Sequence, residues 1–102
     1  MIKLFRISGD SLFPLYKEGQ LVVGIRPFFP LHVKQGDTVT FYHQGVGTMI
    51  KQVRFIENDT VYVEGTSPQS VDSSVFGTIP LKTITYKILF KLPTVLTRAL
   101  RQ

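Results

Sequence analysis

The chain contains no cysteine, which excludes disulfide staples and thiolate metal sites and fits a reducing compartment. It also lacks any run of the ~18 apolar residues that a membrane-spanning helix requires. The opening stretch Met1-Ile2-Lys3-Leu4-Phe5-Arg6-Ile7 is too short and too charged for a secretory signal. These absences make a soluble, cytoplasmic protein without a membrane span the default expectation. Internal repeats and low-complexity segments are missing. No group of His and carboxylate residues shows ligand spacing, so neither a metal nor a cofactor is required. Basic residues outnumber acidic ones, 12 to 7, for a net charge of +5. They are scattered from Lys3 to Arg101 with no run of three, which reads as a solubilising surface and not as a nucleic-acid footprint.

What is present describes one globular domain spanning residues 1–102, with 43% hydrophobic residues and no linker. A chain of this length builds a thin core, so an open cleft is expected in preference to a deep pocket. Segments rich in β-branched and aromatic residues alternate with turn signals. Strands are expected over Lys3 to Ile7, Leu21 to Ile25, Asp37 to Tyr42, Thr48 to Ile56, Thr60 to Glu64 and Thr83 to Phe90. Lys34-Gln35-Gly36, Gln44-Gly45-Val46-Gly47 and Asn58-Asp59 read as turns. The pattern is that of an all-β domain and not of βαβ units. Two helical segments are expected: a short turn after Ser11 limited by Pro14, and Thr94 to Arg101, capped by Thr94.

Lys51 has an unusual context. In the extended segment Met49-Ile50-Lys51-Gln52-Val53-Arg54-Phe55, alternation puts Lys51 on one face with Met49, Val53 and Phe55. Desolvation on an apolar face disfavours the charged amine, and a neutral amine serves as a general base. The plain alternative is a lysine at a strand edge that snorkels into water.

A second cluster is Ser8-Gly9-Asp10-Ser11-Leu12-Phe13-Pro14. Gly9 permits close backbone approach, and a serine at the start of a turn has an exposed hydroxyl beside free N–H donors able to hold an oxyanion. A Ser/Asp helix cap explains the same residues without chemistry. A third segment, Gly65 to Pro80, is by composition a hydrophilic loop returning to an apolar strand.

Taken in order, the three segments resemble the superfamily of type I signal peptidases and LexA-like Ser-Lys proteases. Its nucleophile motif, Ser-Gly-x-Ser-Met-x-Pro, is met by Ser8 to Pro14 with Leu12 in place of methionine. Its lysine motif, Ile-Lys-Arg-Val, is met by Ile50-Lys51-Gln52-Val53. Its closing box, Ser-x-Asp-Ser-Arg-x-x-Gly-x-Val-Pro, is followed by Ser70 to Pro80, with Ser74 for the arginine and Ile79 for the valine. Gly36-Asp37 before Val39 and Phe41 is similar to the family's Gly-Asp-x-Val-x-Phe.

The resemblance implies a coiled, mainly antiparallel β-sheet or partly open barrel with a short C-terminal helix, acting as a serine endopeptidase. Ser11 would be the acylated nucleophile and Lys51 its general base. The Ser11 N–H would donate to the oxyanion, with Ser8, Gly9, Asp10 and Leu12 around it forming the cleft. Ser70 matches the serine that orients the lysine amine, and Asp72 the structural acid of the closing box. Where signal peptidases add a serine hydroxyl two positions before the nucleophile, this chain has Gly9, and Ser74 replaces the usual arginine partner of Asp72.

The nucleophile stands close to the start, so neither a self-cleavage segment nor a membrane anchor is expected before it. In size and layout the chain is similar to the maturation proteases of nickel-type superoxide dismutase, which implies removal of a leader peptide from a protein precursor. The partner would be an extended peptide with small residues at the cut, paired to a strand edge. A histidine triad through His32 or His43 is the rival chemistry, though both histidines are expected in loops. Substitutions at Leu12, Gln52 and Ser74 leave open a weak or inactive signal-peptidase-like binding module. A basic barrel that binds nucleic acid finds only a faint aromatic–basic pattern at Lys3-Leu4-Phe5-Arg6 and Lys87-Ile88-Leu89-Phe90-Lys91. The apolar stretch Arg26-Pro27-Phe28-Phe29-Pro30-Leu31 and the basic stretch Leu92 to Arg101 invite peripheral membrane or partner contact.

Overall fold

Turn chemistry sets the strand boundaries. A computed structural model of the chain describes residues 2–8, 15–26, 33–45, 47–65 and 78–93. Its strands are β1 (Ile2–Arg6), β2 (Leu21–Ile25), β3 (Thr38–His43), β4 (Gly47–Glu57), β5 (Thr60–Glu64), β6 (Ile79–Pro80) and β7 (Ile84–Lys91). A 3₁₀ turn, Leu81–Thr83, joins β6 to β7. Gly45 and Gly47 adopt φ of 90° and 102° where β3 turns into β4, a region open to glycine at no steric cost. Asn58, at φ 56°, makes the β4–β5 turn, as its short polar side chain allows. Ahead of β3, the Asp37 carboxylate accepts the Lys34 N–H at 2.8 Å and tightens the turn that feeds the strand.

The fold is all-β. The seven strands form one sheet in the order β1-β2-β7-β3-β4-β5-β6, and every neighbouring pair is antiparallel. The sheet does not close, so β1 and β6 are its edges. The last strand, β7, runs between β2 and β3 and ties the two ends together. The helical segments expected after Ser11 and over 94–101 lie outside the described residues.

Three irregularities bend the ladder. One residue is extra in each of three pairings: Leu89 opposite Val23/Gly24, Thr85 opposite Thr40/Phe41, and Arg54 opposite Val63/Tyr62. Such bulges increase local twist and switch the phase of the bulged strand. Two core clusters result. The larger joins Val33, Val39, Phe41, Val53, Val61, Val63, Ile79, Leu81 and Ile84, with Met49 and Ile56 packed against it. The smaller joins Ile7, Val22 and Ile88, with Phe5, Tyr16 and Ile50 packed against it. Thr40 is buried, and its hydroxyl meets that of Thr85 at 2.7 Å, which satisfies a polar group that burial would otherwise penalise.

Two expectations need correction. Phe55 does not share the face of Lys51: the bulge at Arg54 flips the phase, leaving Phe55 exposed and stacked on Tyr62 at 4.9 Å. His43 is the last residue of β3, not part of a loop. β6 was not foreseen from the sequence pattern, being two residues long and ending in proline.

Candidate active site around Lys51

Strand β4 carries Lys51 directly opposite Val39 of β3. Phe41 faces Met49 on the next rung of the same side, and Val53 lies two residues along β4. Those neighbours belong to the larger core cluster or pack against it. Lys51 is 3% exposed, as buried as the valines around it. The snorkelling alternative does not describe this residue. A side chain with an amine is held in a face built from valine, phenylalanine and methionine.

The same row of the sheet continues from Lys51 through Val39 to Lys87 and Ile25. With strands ~4.8 Å apart, Lys51 and Lys87 are separated by about 10 Å at the backbone. The Lys87 ammonium lies 3.4 Å from Asp37 Oδ2, with both side chains largely shielded from water. Asp37 therefore balances the Lys87 charge on this face while also fixing the turn before β3. The Asp37–Lys87 pair was not read as part of the site from sequence. Its only signal was the Gly36-Asp37 match, since Lys87 sits fifty residues further along the chain.

Ser8 is exposed just past the end of β1. The residue before it, Ile7, is pinned: its N–H donates to Gln20 O at 2.8 Å, and its carbonyl accepts from Gly19 at 2.7 Å. Ile7 is buried in the smaller cluster, against which Ile50 packs. The chain leading toward position 11 is thus anchored in the cluster touched by the immediate neighbour of Lys51. On the other side, β5 ends with Glu64 opposite Gln52, and β6 begins with Ile79 opposite Val61. Gly65, next in the chain, leaves the sheet where β4 carries Lys51. Gly9, Asp10, Ser11, Leu12, Ser70 and Asp72 lie outside the described residues. The structure gives the lysine in its setting and the stems of the two segments that bear the serines.

His43 falls on the same side of β3 as Val39 but four residues away, about 13 Å along the strand, and is paired with Gly47. His32 lies outside the described residues. Gln52, where the resemblance has arginine, donates to Gly36 O at 3.4 Å, in the turn that precedes β3. Arg54 donates to Glu64 Oε1 at 2.7 Å; that bond first, and the carboxylate charge second, hold the guanidinium more firmly protonated. This pair is on the exposed side of β4. Among the described residues no three His, Cys, Asp or Glu side chains are grouped to hold a metal ion, and no helix is long and apolar enough to cross a membrane. Neither the protein-family models nor the curated proteins searched include any that match this chain.

Proposed function

We propose that the chain is a serine endopeptidase with a Ser11–Lys51 dyad that removes a leader peptide from a protein precursor. The observation that carries this reading is Lys51 itself: a lysine 3% exposed on a face of apolar side chains. Burying a charge is costly, and the group relieves that cost by giving up its proton. The sequence motifs around Ser11 and Ser70 supply the second support.

In the proposed reaction, the neutral Lys51 amine takes the Ser11 hydroxyl proton as Oγ attacks the scissile carbonyl. The Ser11 N–H donates to the oxyanion, within the cleft lined by Ser8, Gly9, Asp10 and Leu12. The tetrahedral intermediate collapses to an ester, and the Lys51 ammonium returns its proton to the departing amine. A water, deprotonated by the same amine, then hydrolyses the ester. Ser70 orients the amine through its hydroxyl, and Asp72 supports that loop. An extended precursor with small residues at the cut suits a shallow cleft, and the nickel-type superoxide dismutase precursor is the specific candidate. The absence of cysteine suits a cytoplasmic place of action.

The test is to incubate wild type and Lys51→Ala with candidate precursors and read the products by mass spectrometry. Cleavage by wild type and none by the variant is the expected result. Binding of precursor with no cleavage by wild type would instead make the chain an inactive binding module. Activity is expected to rise toward alkaline pH, because the base works only after it loses its proton. A flat profile from about pH 6 to 10 contradicts a lysine base.

A further inference from the structure

Strand β1 leaves a row of backbone groups open. Ile2 to Arg6 pair with β2 in an uninterrupted register, and among the described residues no strand pairs with the other side of β1. The Ile7 N–H bonds to Gln20 O, continuing the register in which Arg6 faces Leu21. By the alternation of an antiparallel ladder, Lys3, Phe5 and Ile7 direct their N–H and C=O groups to β2, and the residues between them direct theirs the opposite way. The backbone groups of Ile2, Leu4 and Arg6 therefore point out of the sheet. The bond from Leu92 N–H to Leu21 O agrees with this phase: Leu21, opposite Arg6, directs its groups to β7.

Edge strands are usually blunted by proline, bulges or projecting charges. Strand β1 contains no proline, and its register carries no bulge. Its two cations are turned back onto their own subunit. The register puts Lys3 on the face opposite Ile2 and Leu4, with its ammonium 5.2 Å from the Phe5 ring and 5.6 Å from that of Tyr86. Arg6 donates to Gly19 O at 3.1 Å. The other two outward positions are apolar: Ile2 is 72% exposed and Leu4 53%.

We propose that β1 pairs antiparallel with β1 of a second copy, about a two-fold axis at Leu4, to form one continuous sheet. In this register Leu4 meets the partner's Leu4, Ile2 meets the partner's Arg6, and Lys3 meets the partner's Phe5. Every outward N–H and C=O of Ile2, Leu4 and Arg6 then has a partner, and no like charges stand opposite each other. Sliding the strands by one rung leaves outward groups unpaired. One such slide also sets Lys3 against the partner's Lys3, a like-charge pair that opposes association. The strand is thus self-complementary in a single antiparallel register, as a two-fold contact requires, and this favours a second copy over an unrelated extended peptide. The contact also shields Leu4, whose rung runs through Val23 to the exposed Phe90. The net charge of +5 on each chain opposes the approach at long range, so salt strengthens the dimer by screening. This inference stands independently of the protease reading.

Sedimentation of the whole chain over a range of concentrations tests it. Wild type is expected to form a dimer that tightens as salt is added. Leu4→Lys sets two lysines on the axis and is expected to weaken the dimer by about tenfold or more. Leu4→Pro removes an outward N–H, as edge strands tolerate, and is expected to do the same. Tyr42→Ser, exposed in another part of the sheet, is expected to dimerise as wild type does. Thermal unfolding checks that each variant remains folded. Single cysteines, which the chain otherwise lacks, read the register under mild oxidation. Leu4→Cys is expected to cross-link to its own copy, since directly paired residues ~5.5 Å apart suit a disulfide. Ile2→Cys alone is expected not to cross-link, and Ile2→Cys mixed with Arg6→Cys is expected to do so. The proposal is overturned if wild type is a monomer at every concentration, if the dimer survives either folded Leu4 variant, or if Leu4→Cys fails to cross-link. In a monomeric wild type, protection of the Leu4 amide from hydrogen exchange by an added extended peptide would assign the edge to a peptide instead.

Discussion

At the β1–β2–β7 end, with its described β1–β2 connection, six basic residues and one acidic residue, Glu18, accompany exposed Ile2, Leu4, Leu15, Leu89 and Phe90. Across β3, β4, β5 and β6 with their described turns, charges balance: Lys34, Lys51, Arg54 and Lys82 against Asp37, Glu57, Asp59 and Glu64. That second region holds the larger core cluster and, within its face, a buried lysine. Both regions leave some apolar side chains in water, Tyr42 and Phe55 in the second, and the second also puts a cationic residue type among valines. Neither arrangement is what folding alone would select, since each departs from the rule that apolar groups go in and charges stay out. Basic residues dispersed along the chain are brought nearer one another in space by the strand order.

The largest effect that could break this comparison is at Lys51. Lys51→Met is expected to lower the cleavage rate by about 10²–10⁴-fold, the usual loss for a general base, in a turnover assay. The variant is expected to stay folded, because methionine fills a similar volume, which urea unfolding checks. A variant that retains turnover would remove the functional reason for the burial.

Next come the two phenylalanines that differ most between the regions. Phe41 is 1% exposed in the larger cluster, and Phe41→Ala is expected to cost about 3–5 kcal/mol in denaturant unfolding. Phe90→Ala at the exposed end is expected to change stability by less than about 0.5 kcal/mol. Equal losses would mean that the β1–β2–β7 surface is a core face and not a free one.

A smaller effect is expected at Gly24. An added methyl there would meet the Phe5 ring at 2.9 Å, so Gly24→Ala forces the ring to shift and costs about 1 kcal/mol. Because Phe5 also meets Tyr86, the aromatic ring signals in a proton NMR spectrum are expected to move. The least effect is expected at Arg54, where removal of an exposed pair with Glu64 is expected to leave the melting temperature unchanged.

Much of the fold was legible because short strands and their turns are encoded locally. β2 and β5 coincide with the expected segments, and the Asn58-Asp59 hairpin follows from the conformational tolerance of asparagine. What was not legible depends on non-local fit. The bulge at Arg54 is an extra residue in one strand relative to its partner, and no alternation pattern within β4 alone reveals it. Phe55 was therefore assigned to the wrong face, while Lys51, before the bulge, was assigned to the right one. The pairing of Asp37 with Lys87 arises only because β7 returns between β2 and β3. Of the candidate site, the burial of Lys51 was foreseen from phase, and its charged neighbour on the same face was not.

The most direct test of the account is covalent labelling. A peptidyl phosphonate that phosphonylates an activated serine is allowed to react, and the chain is digested with trypsin and sequenced by mass spectrometry. The adduct is expected on Ser11, within the tryptic peptide Ile7 to Lys17, and to be absent from Lys51→Ala that remains folded. Labelling at another residue, or labelling of Ser11 at the same rate without Lys51, would contradict the dyad.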